Sequence, residues 1–587
     1  NKGYKLLKNG YSFYNTETYL FESNIPPLLR LFHIKEISPS GWVAFPKKKC
    51  FDFNNRETSC NVEFSISYKH IIPLNDKETP VPYKICSFDI EASSSHGDFP
   101  LPVKSYKRLA INIIDYFKNN NLDKRSVGDV LLKNIIYSAF GYDKLKDIDL
   151  VYPKHIVSKT ELTNMIEEWI STPVRSIKPT SQFNEVLTIE SMFEKINDEE
   201  DEISIFNKNN KNKRSMNSSI IDIIFDAQSD RESKINELNL SFNGIFPKLE
   251  GDKVTFIGST FMNYGDKSPY KNNCIVLDTC DKPDLNNTEI ETYKSEKELL
   301  LAWQKLIQRE NPDIIIGYNI FGFDYQFMFK RAEENNCIEQ FLKLSRNKEE
   351  ICCNIDKESG RYKMEESSII LASGQHDIKY IKINGRLQVD LYNFYRRESN
   401  LTSYKLDHVA GHFIGDSITK IDINNKKSVI NTFNLTGLLE GSYIHIEEIG
   451  HSTEFYNEGE KFLVEKIDKE KKIIQINKQV SPNLSKKLRW CLAKDDVTPK
   501  DIFRLSNGNS KDRCIVAKYC IQDCNLVHYL FNKSDILTGF IEMSKICSIP
   551  INFLVMRGQG IKLTSYISKK CREKKTLMPV IEKGSLD

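Results

Sequence analysis

Ile85-Cys86-Ser87-Phe88-Asp89-Ile90-Glu91 is the stretch on which the fold turns. Its apolar, β-branched and aromatic residues make it a buried strand. Side chains alternate along a strand, so Asp89 and Glu91 emerge on one face, one repeat apart. Two carboxylates that close repel each other, and burial raises the cost unless a cation compensates them. Carboxylate and water oxygens are the ligands that Mg²⁺ and Mn²⁺ accept. The plainer alternative is a sheet edge where both acids face water. Ser93-Ser94-Ser95-His96-Gly97 then ends the strand in a loop.

Residues 1–84, before this strand, alternate short apolar runs with turns such as Asn24-Ile25-Pro26-Pro27 and Ser38-Pro39-Ser40-Gly41. They predict a β-rich N-terminal domain. After it, about 102–249 changes to helical spacing, and we read that region as an insertion. Its acidic run 198–202 and its Lys211, Lys213 and Arg214 cluster read as solvated loop. Strands follow at 254–261 and 274–277. A helix opens on the Ser295/Glu298 capping box, and Ile314-Ile315-Ile316-Gly317 reads as a buried strand. A further strand lies at 385–391. Period-2 patterning over 431–480 predicts a small β subdomain, and an amphipathic helix spans roughly 512–532. Strands alternating with helices over 85–540 predict an α/β domain around a central sheet.

Composition narrows the class. The 587 residues carry 83 Lys+Arg against 80 Asp+Glu, with 40% hydrophobic and 28% charged residues. That is the balance of a globular protein of several domains, not of a disordered tail or a fibre. No apolar run approaches the ~20 residues of a bilayer span. The 14 cysteines include no CxxC pair, which points to free thiols in a reducing compartment rather than a disulfide framework or zinc module. A net charge of +3 neither demands nor excludes a nucleic-acid partner, because a local basic channel can hide in a neutral total.

Two more acidic sites join the first. Tyr318-Asn319-Ile320-Phe321-Gly322-Phe323-Asp324 lies on a strand-to-helix junction, where Asp324 alone would be read as a helix cap. In Tyr519-Cys520-Ile521-Gln522-Asp523 the Tyr and Asp are i and i+4 on one helix face, alone no more than a local contact. Together, four carboxylates on strand, junction and helix can hold two divalent ions ~3.5–4 Å apart for an in-line displacement at phosphorus. A phenol beside them can orient the attacking water. His408 and His412 are i, i+4 but lack the Glu and third ligand of a zinc motif, so they read as ordinary histidines.

Phe88-Asp89-Ile90-Glu91, Gly317-Tyr318-Asn319 with Phe323-Asp324, and Tyr519-Cys520-Ile521-Gln522-Asp523 resemble, in order, the three exonuclease motifs of family B DNA polymerases. Asn24-Ile25-Pro26-Pro27 through Gly41-Trp42-Val43, Gly385-Arg386-Leu387-Gln388-Val389-Asp390, and Arg557-Gly558-Gln559-Gly560-Ile561-Lys562 with Leu577-Met578-Pro579-Val580 resemble the delta-type replicative members. The long insertions look most like the polymerases of large nucleocytoplasmic DNA viruses. The resemblance implies a ribonuclease-H-like 3′→5′ exonuclease domain with a mixed central sheet over 85–540, beside the β-rich domain of 1–84. Residues 541–587 would begin the connection to a polymerase palm. It implies Asp89, Glu91, Asp324 and Asp523 as metal ligands, with Tyr519 positioning the water. Asn319 and Phe323 would contact a single-stranded 3′ end, and Arg557 and Lys562 would touch DNA phosphates. Asp390 would be structural.

The implied cofactors are two Mg²⁺ ions, with Mn²⁺ able to substitute. The implied partners are DNA, as a single-stranded 3′ end or primer-template, and a sliding clamp reached through a C-terminal part outside this sequence. No membrane partner is expected. The expected location is intracellular, at the site of DNA replication, which for a virus is the host nucleus or a cytoplasmic factory. No SLYPS-like or YGDTDS-like polymerase motif occurs, and Tyr264-Gly265-Asp266-Lys267-Ser268 is a decoy. The chain starts on Asn1 and stops about where the palm should begin, so it is expected to be the front part of a polymerase, unable to incorporate nucleotides by itself. The alternatives are a free-standing exonuclease of the same fold and a nucleic-acid-binding scaffold whose nuclease site is dead.

Overall fold

The computed structural model describes residues 4–7, 10–14, 16–23, 25–94, 99–120, 125–173, 219–357, 359–371, 374–424, 427–493 and 497–578. The acidic run 198–202, the Lys211, Lys213 and Arg214 cluster, His96 and Val580 lie outside them. The chain divides into two compact units, residues 99–253 and the remainder.

The larger unit is built on a six-stranded sheet. Its strands are β1 (Lys84–Ser93), β2 (Lys253–Asn263), β3 (Lys271–Leu277), β4 (Thr288–Tyr293), β5 (Ile314–Gly317) and β6 (Leu387–Asp390), in the spatial order β4-β3-β2-β1-β5-β6. β5 is parallel to both β1 and β6, β3 is parallel to β4, and β2 and β3 are antiparallel, so the sheet is mixed. Register sets Ile314 against Ile85 and Leu387. β5 is wholly apolar apart from its last residue and is buried along its length, as expected of a parallel strand covered on both faces.

Helices supply the cover. α1 (Glu296–Glu310) and α2 (Asp324–Glu334) pack one face through Trp303, Leu299, Leu306 and Met328 against Phe88, Ile257 and Ile275. α3 (Leu391–Glu398) follows β6 directly. On the other face lies α4 (Ser510–Lys533), whose Val516, Ala517 and Cys520 meet Phe256, Cys274 and Val276. α4 begins in a capping box formed by Asn509 and Asp512. Gly258 on β2 is what lets α4 come this close. A Cβ there would sit 2.7 Å from Cys520 Sγ and 3.2 Å from the Cys520 carbonyl oxygen.

Between Gly415 and Ala493, inserted ahead of α4, seven antiparallel strands run from Gly415–Asn424 to Lys487–Ala493. Tyr443–Ile449 pairs with Lys487–Ala493 as well as with Phe462–Asp468, and this second pairing closes the sheet into a small barrel. Ile430, Ile444, Ile446, Phe462, Val464, Ile474 and Trp490 fill it. The strands extend beyond the 431–480 in which alternation is visible. A register shift between Ile418 and Lys420 breaks the period in the first strand, and the last reads as nearly continuous apolar sequence.

Residues 4–74 form a three-stranded antiparallel ribbon, two short strand pairs and the helix Pro27–Lys35. The unit of residues 99–253 is helical, with helices Lys107–Asn119, Arg125–Ala139, Lys159–Ser171, Ile220–Ile224 and Arg231–Ile245. Its own core stacks Trp169 on Phe242, with ring centroids 4.3 Å apart, and the indole N–H donates to Ser241 Oγ at 2.9 Å. Among the described residues no helix is long and apolar enough to cross a membrane.

One buried ion pair ties the first face together. Arg331, 1% exposed, donates Nη2–H to Glu296 Oε2 at 2.6 Å and Nε–H to Glu296 Oε1 at 2.9 Å. The Val254 N–H and Asn335 Nδ2 complete the coordination of that carboxylate at 2.8 Å each. The network joins the start of β2, the first turn of α1 and the last turn of α2. Arg331→Met should lower unfolding stability by ~3–5 kcal/mol, because it strands a buried carboxylate. The double change Arg331→Met with Glu296→Leu should cost clearly less. Denaturant titration of the three proteins measures both differences.

Candidate active site

β1 places the first two acids. Phe88 and Ile90 point into the core, while Asp89 and Glu91, half-buried, emerge on the opposite face. α4 places Tyr519 and Asp523 one turn apart, both buried. One carboxylate oxygen each from Asp89, Glu91 and Asp523 lie within 4.8 Å of one another. Asp324, the first residue of α2 and 2% exposed, adds the fourth acid. Its Oδ1 accepts the Ile90 N–H at 3.2 Å, and its side chain is hydrogen-bonded to that of Asp89. The acids therefore meet at the carboxyl ends of parallel strands, where open α/β sheets bind their ligands.

The turn that delivers Asp324 is held from below. Asn319 takes the left-handed conformation with φ 64°. Asp390, at the end of β6, accepts the N–H groups of Asn319 at 2.8 Å and Phe321 at 3.0 Å, and that of Tyr392 at 3.0 Å. Burial pushes the Asp390 carboxyl up to about 6, against the pull of those N–H groups. Cys520 Sγ reaches the Asp89 carbonyl oxygen at 3.7 Å, which ties α4 to β1 beside the cluster.

Burial and the acids' own charges set the electrostatics of the cluster. Asp89 is held well above the ordinary carboxylate range, by burial first and then by the charge of Asp324, with Cys520, Glu91 and Asp523 adding to it. Burial also raises Asp324 to about 7, with Asp390 adding to the push. Asp89, Glu91 and Asp523 offer one oxygen each, with neither thiolate nor imidazole among them, a donor set that fits a hard divalent ion such as Mg²⁺ or Mn²⁺. A small solvent-open cleft adjoins the cluster, with Tyr519 and Asp523 in its wall.

The remaining sequence-predicted residues divide. The Phe323 ring packs on Phe327 at 5.3 Å, at the head of α2 beside Asp324, and Asn319 lies in the same turn. Arg557 and Lys562 are not brought to the carboxylates. The Arg557 guanidinium stacks 3.9 Å above Phe553 and lines a separate cleft with Asp313 and Arg386, at the amino ends of β5 and β6. Lys562 is half-buried, and burial and the charge of Arg397 lower its pKa. His408 bonds Thr402 at 3.2 Å and His412 packs on Phe413. Sequence reasoning missed the closeness of α4 to β2. The available signal was a lone Gly258 inside the apolar run 254–261.

The raised carboxylates set a pH dependence. A carboxyl whose folded pKa lies above its unfolded value favours folding at low pH and loses that contribution as pH rises through the folded value. In metal-free protein Asp89→Asn should therefore raise Tm at pH 8, and the gain should shrink to nothing by pH 4. Millimolar Mn²⁺ at pH 8 should raise the wild-type Tm by mass action and leave the Asp89→Ala/Glu91→Ala variant unmoved. Differential scanning fluorimetry reads both effects.

Comparison with known proteins follows this geometry. Residues 18–180 and 237–409 match the family described as DNA polymerase family B, exonuclease domain. The match takes in Asp89, Glu91, Asn319, Phe323 and Asp324 but ends before the barrel and α4. The chain is 44% identical to the DNA polymerase of Phaeocystis pouchetii virus, over 99% of its own length and 58% of the relative's. It is 34% identical to the DNA polymerase of Pyramimonas orientalis virus, over 96% of its length and 43% of the relative's. With the DNA polymerase delta catalytic subunit of Oryza sativa subsp. japonica it shares 26% identity over 58% of its length and 23% of the relative's. The chain thus spans less than two thirds of these relatives.

Proposed function

The chain belongs to DNA polymerase family B, by way of that family's exonuclease domain, and from this premise we propose that it removes nucleotides from the 3′ end of a DNA strand by metal-dependent hydrolysis of the terminal phosphodiester. The observation that carries the reading is the meeting of Asp89, Glu91 and Asp523, brought from β1 and α4, within 4.8 Å. Asp324, hydrogen-bonded to Asp89, completes the set.

Asp89, Glu91, Asp324 and Asp523 would hold the divalent ions, Mg²⁺ by ordinary availability and Mn²⁺ by shared chemistry. When bound, a pair of such ions supplies Lewis acidity to the attacking and leaving oxygens of an in-line displacement. Tyr519, one turn before Asp523 and in the wall of the same cleft, orients the attacking water through its phenol. The water oxygen joins the phosphorus, the bond to the preceding 3′ oxygen breaks, and that oxygen takes a proton. A nucleoside 5′-monophosphate and a shortened strand result. Asn319 and Phe323, on the turn leading to Asp324, hold the single-stranded end, an aromatic ring stacking on bases without regard to sequence. In the whole protein this chemistry serves proofreading during DNA replication, on a primer-template and alongside a sliding clamp. The reading assigns 1–84 to an N-terminal domain and 85–540 to the exonuclease domain, with about 102–249 and the barrel of 415–493 inserted. Residues 541–587, with Arg557 and Lys562 on DNA phosphates, lead towards a palm.

With Mg²⁺ the purified chain should shorten a 5′-labelled single strand from its 3′ end. Asp89→Ala with Glu91→Ala should abolish shortening while the circular dichroism spectrum stays unchanged. Tyr519→Phe should lower kcat by ~10²-fold. Gel analysis of the ladder decides, and persistent trimming by the double variant would reject the site.

A further inference from the structure

At the ends away from the acids, β5 and β6 open onto a second cavity that the chemistry above leaves unused. The two strands carry four residues each, which sets this cavity about 10 Å from the carboxylate end of the sheet. It measures ≈ 720 Å³, the size of a small-molecule site. Three half-buried rings line it: Tyr83 ahead of β1, Tyr380 ahead of β6, and Phe553 on the helix Ile551–Met556. Neither phenol hydroxyl has a hydrogen-bond partner among the described residues.

Polar ties hold the walls. Arg346 Nη2 donates to Asp313 Oδ1 at 2.7 Å, and the Lys84 N–H donates to Asp313 Oδ2 at 2.9 Å. The helix Ile551–Met556 is held from two sides. Arg397 Nη1 donates to the Leu554 carbonyl at 3.0 Å, and Ser367 Oγ donates to the Met556 carbonyl at 3.3 Å. Gly385 turns the chain into β6 at φ 81°, where a Cβ would meet Arg346 Cβ at 2.8 Å.

Positive charge prevails in the lining. Two acids belong to it, Asp313 and Glu365, and Arg346 neutralises the first. Glu365 accepts Asn354 Nδ2 at 2.9 Å. Arg386, 6% exposed, donates Nη1–H to Asn311 Oδ1 and the Pro312 carbonyl at 2.7 Å each, and Nε–H to the Leu344 carbonyl at 3.0 Å. All three acceptors are neutral. The buried guanidinium therefore acts on the cavity through its charge alone, across a low-dielectric wall. Lys382 and Arg557 are exposed at the rim, and neither forms an ion pair among the described residues. The stacking of the Arg557 guanidinium 3.9 Å above Phe553 fixes where its charge lies.

We propose that this cavity is a nucleotide site separate from the carboxylate cluster: Lys382 and Arg557 take the phosphate, and Tyr83, Tyr380 and Phe553 hold the base. Two rim cations without counter-ions, backed by a buried third, suit an anion. The rings beside them suit the π-face of a base. The open phenols meet a base edge or a sugar hydroxyl. An inorganic anion would leave the rings idle, and an apolar ligand would leave the cations idle. A nucleotide engages both. A free nucleotide and one nucleotide within a strand present this same chemistry, and the experiment below separates them. The site stands independently of the exonuclease reading, because it shares no residue with the carboxylate cluster.

The test is calorimetric titration in EDTA of the chain carrying Asp89→Ala and Glu91→Ala, so that the carboxylate cluster takes no part. dTMP should bind one-to-one, and more weakly as salt rises. Adding Lys382→Glu should weaken binding ~10-fold or more, whereas Lys382→Arg should leave it within two-fold. Tyr380→Ala should weaken dTMP ~10-fold and leave inorganic phosphate unchanged. An oligothymidylate that displaces dTMP assigns the site to a strand, and one that fails to displace it assigns the site to a free nucleotide. Absence of dTMP binding at millimolar concentration would overturn the proposal, as would equal binding by the Lys382→Glu chain.

Discussion

Four carboxylates pressed into one low-dielectric place are the constraint around which this structure is arranged. Left to themselves, Asp89, Glu91, Asp324 and Asp523 push apart; burial first, with neighbouring carboxylates adding to it, raises the pKa values of Asp89 and Asp324. The fold holds them together by other means. The apolar β1 and β5 lie side by side at the centre of the sheet. Asp390 collects backbone N–H groups under the turn before Asp324. Gly258 removes the one Cβ that would keep α4, and Asp523 with it, away from β1. Each device spends stability or conformational freedom to sustain a local repulsion, the usual signature of a site kept for chemistry rather than for packing.

Much of this was legible in sequence because the acids sit where apolar pattern leaves no reason for them. Asp89 and Glu91 break a strand that would otherwise be core, and Tyr519 and Asp523 share one helix face. Asp324 was ambiguous, since an acid at a helix start is also an ordinary cap. Its place became readable only through the turn held by Asp390. The barrel was read too short, because register shifts and edge polarity hide alternation at its margins. Its closure is a long-range pairing of Tyr443–Ile449 with Lys487–Ala493, which no local periodicity reports. The nearness of its loop to Asp523 is likewise a tertiary fact.

The two insertions differ in kind. The helical unit of residues 99–253 carries its own aromatic core around Trp169 and Phe242. The barrel merges its core with that of α4 and cannot be separated from the site without exposing apolar surface. Membership of family B polymerases accounts for the matched residues 18–180 and 237–409. The barrel lies beyond that match.

The cage is also assembled from widely separated stretches of chain. During synthesis β1 and α2 leave the ribosome long before α4. Until α4 docks on Gly258 the cluster lacks Asp523, and the cleft lacks both its floor and its phenol. A nascent or broken polypeptide would carry the first acids without the partner that closes their cluster. The complete cluster is thus a property of the finished fold and of no earlier stage of it.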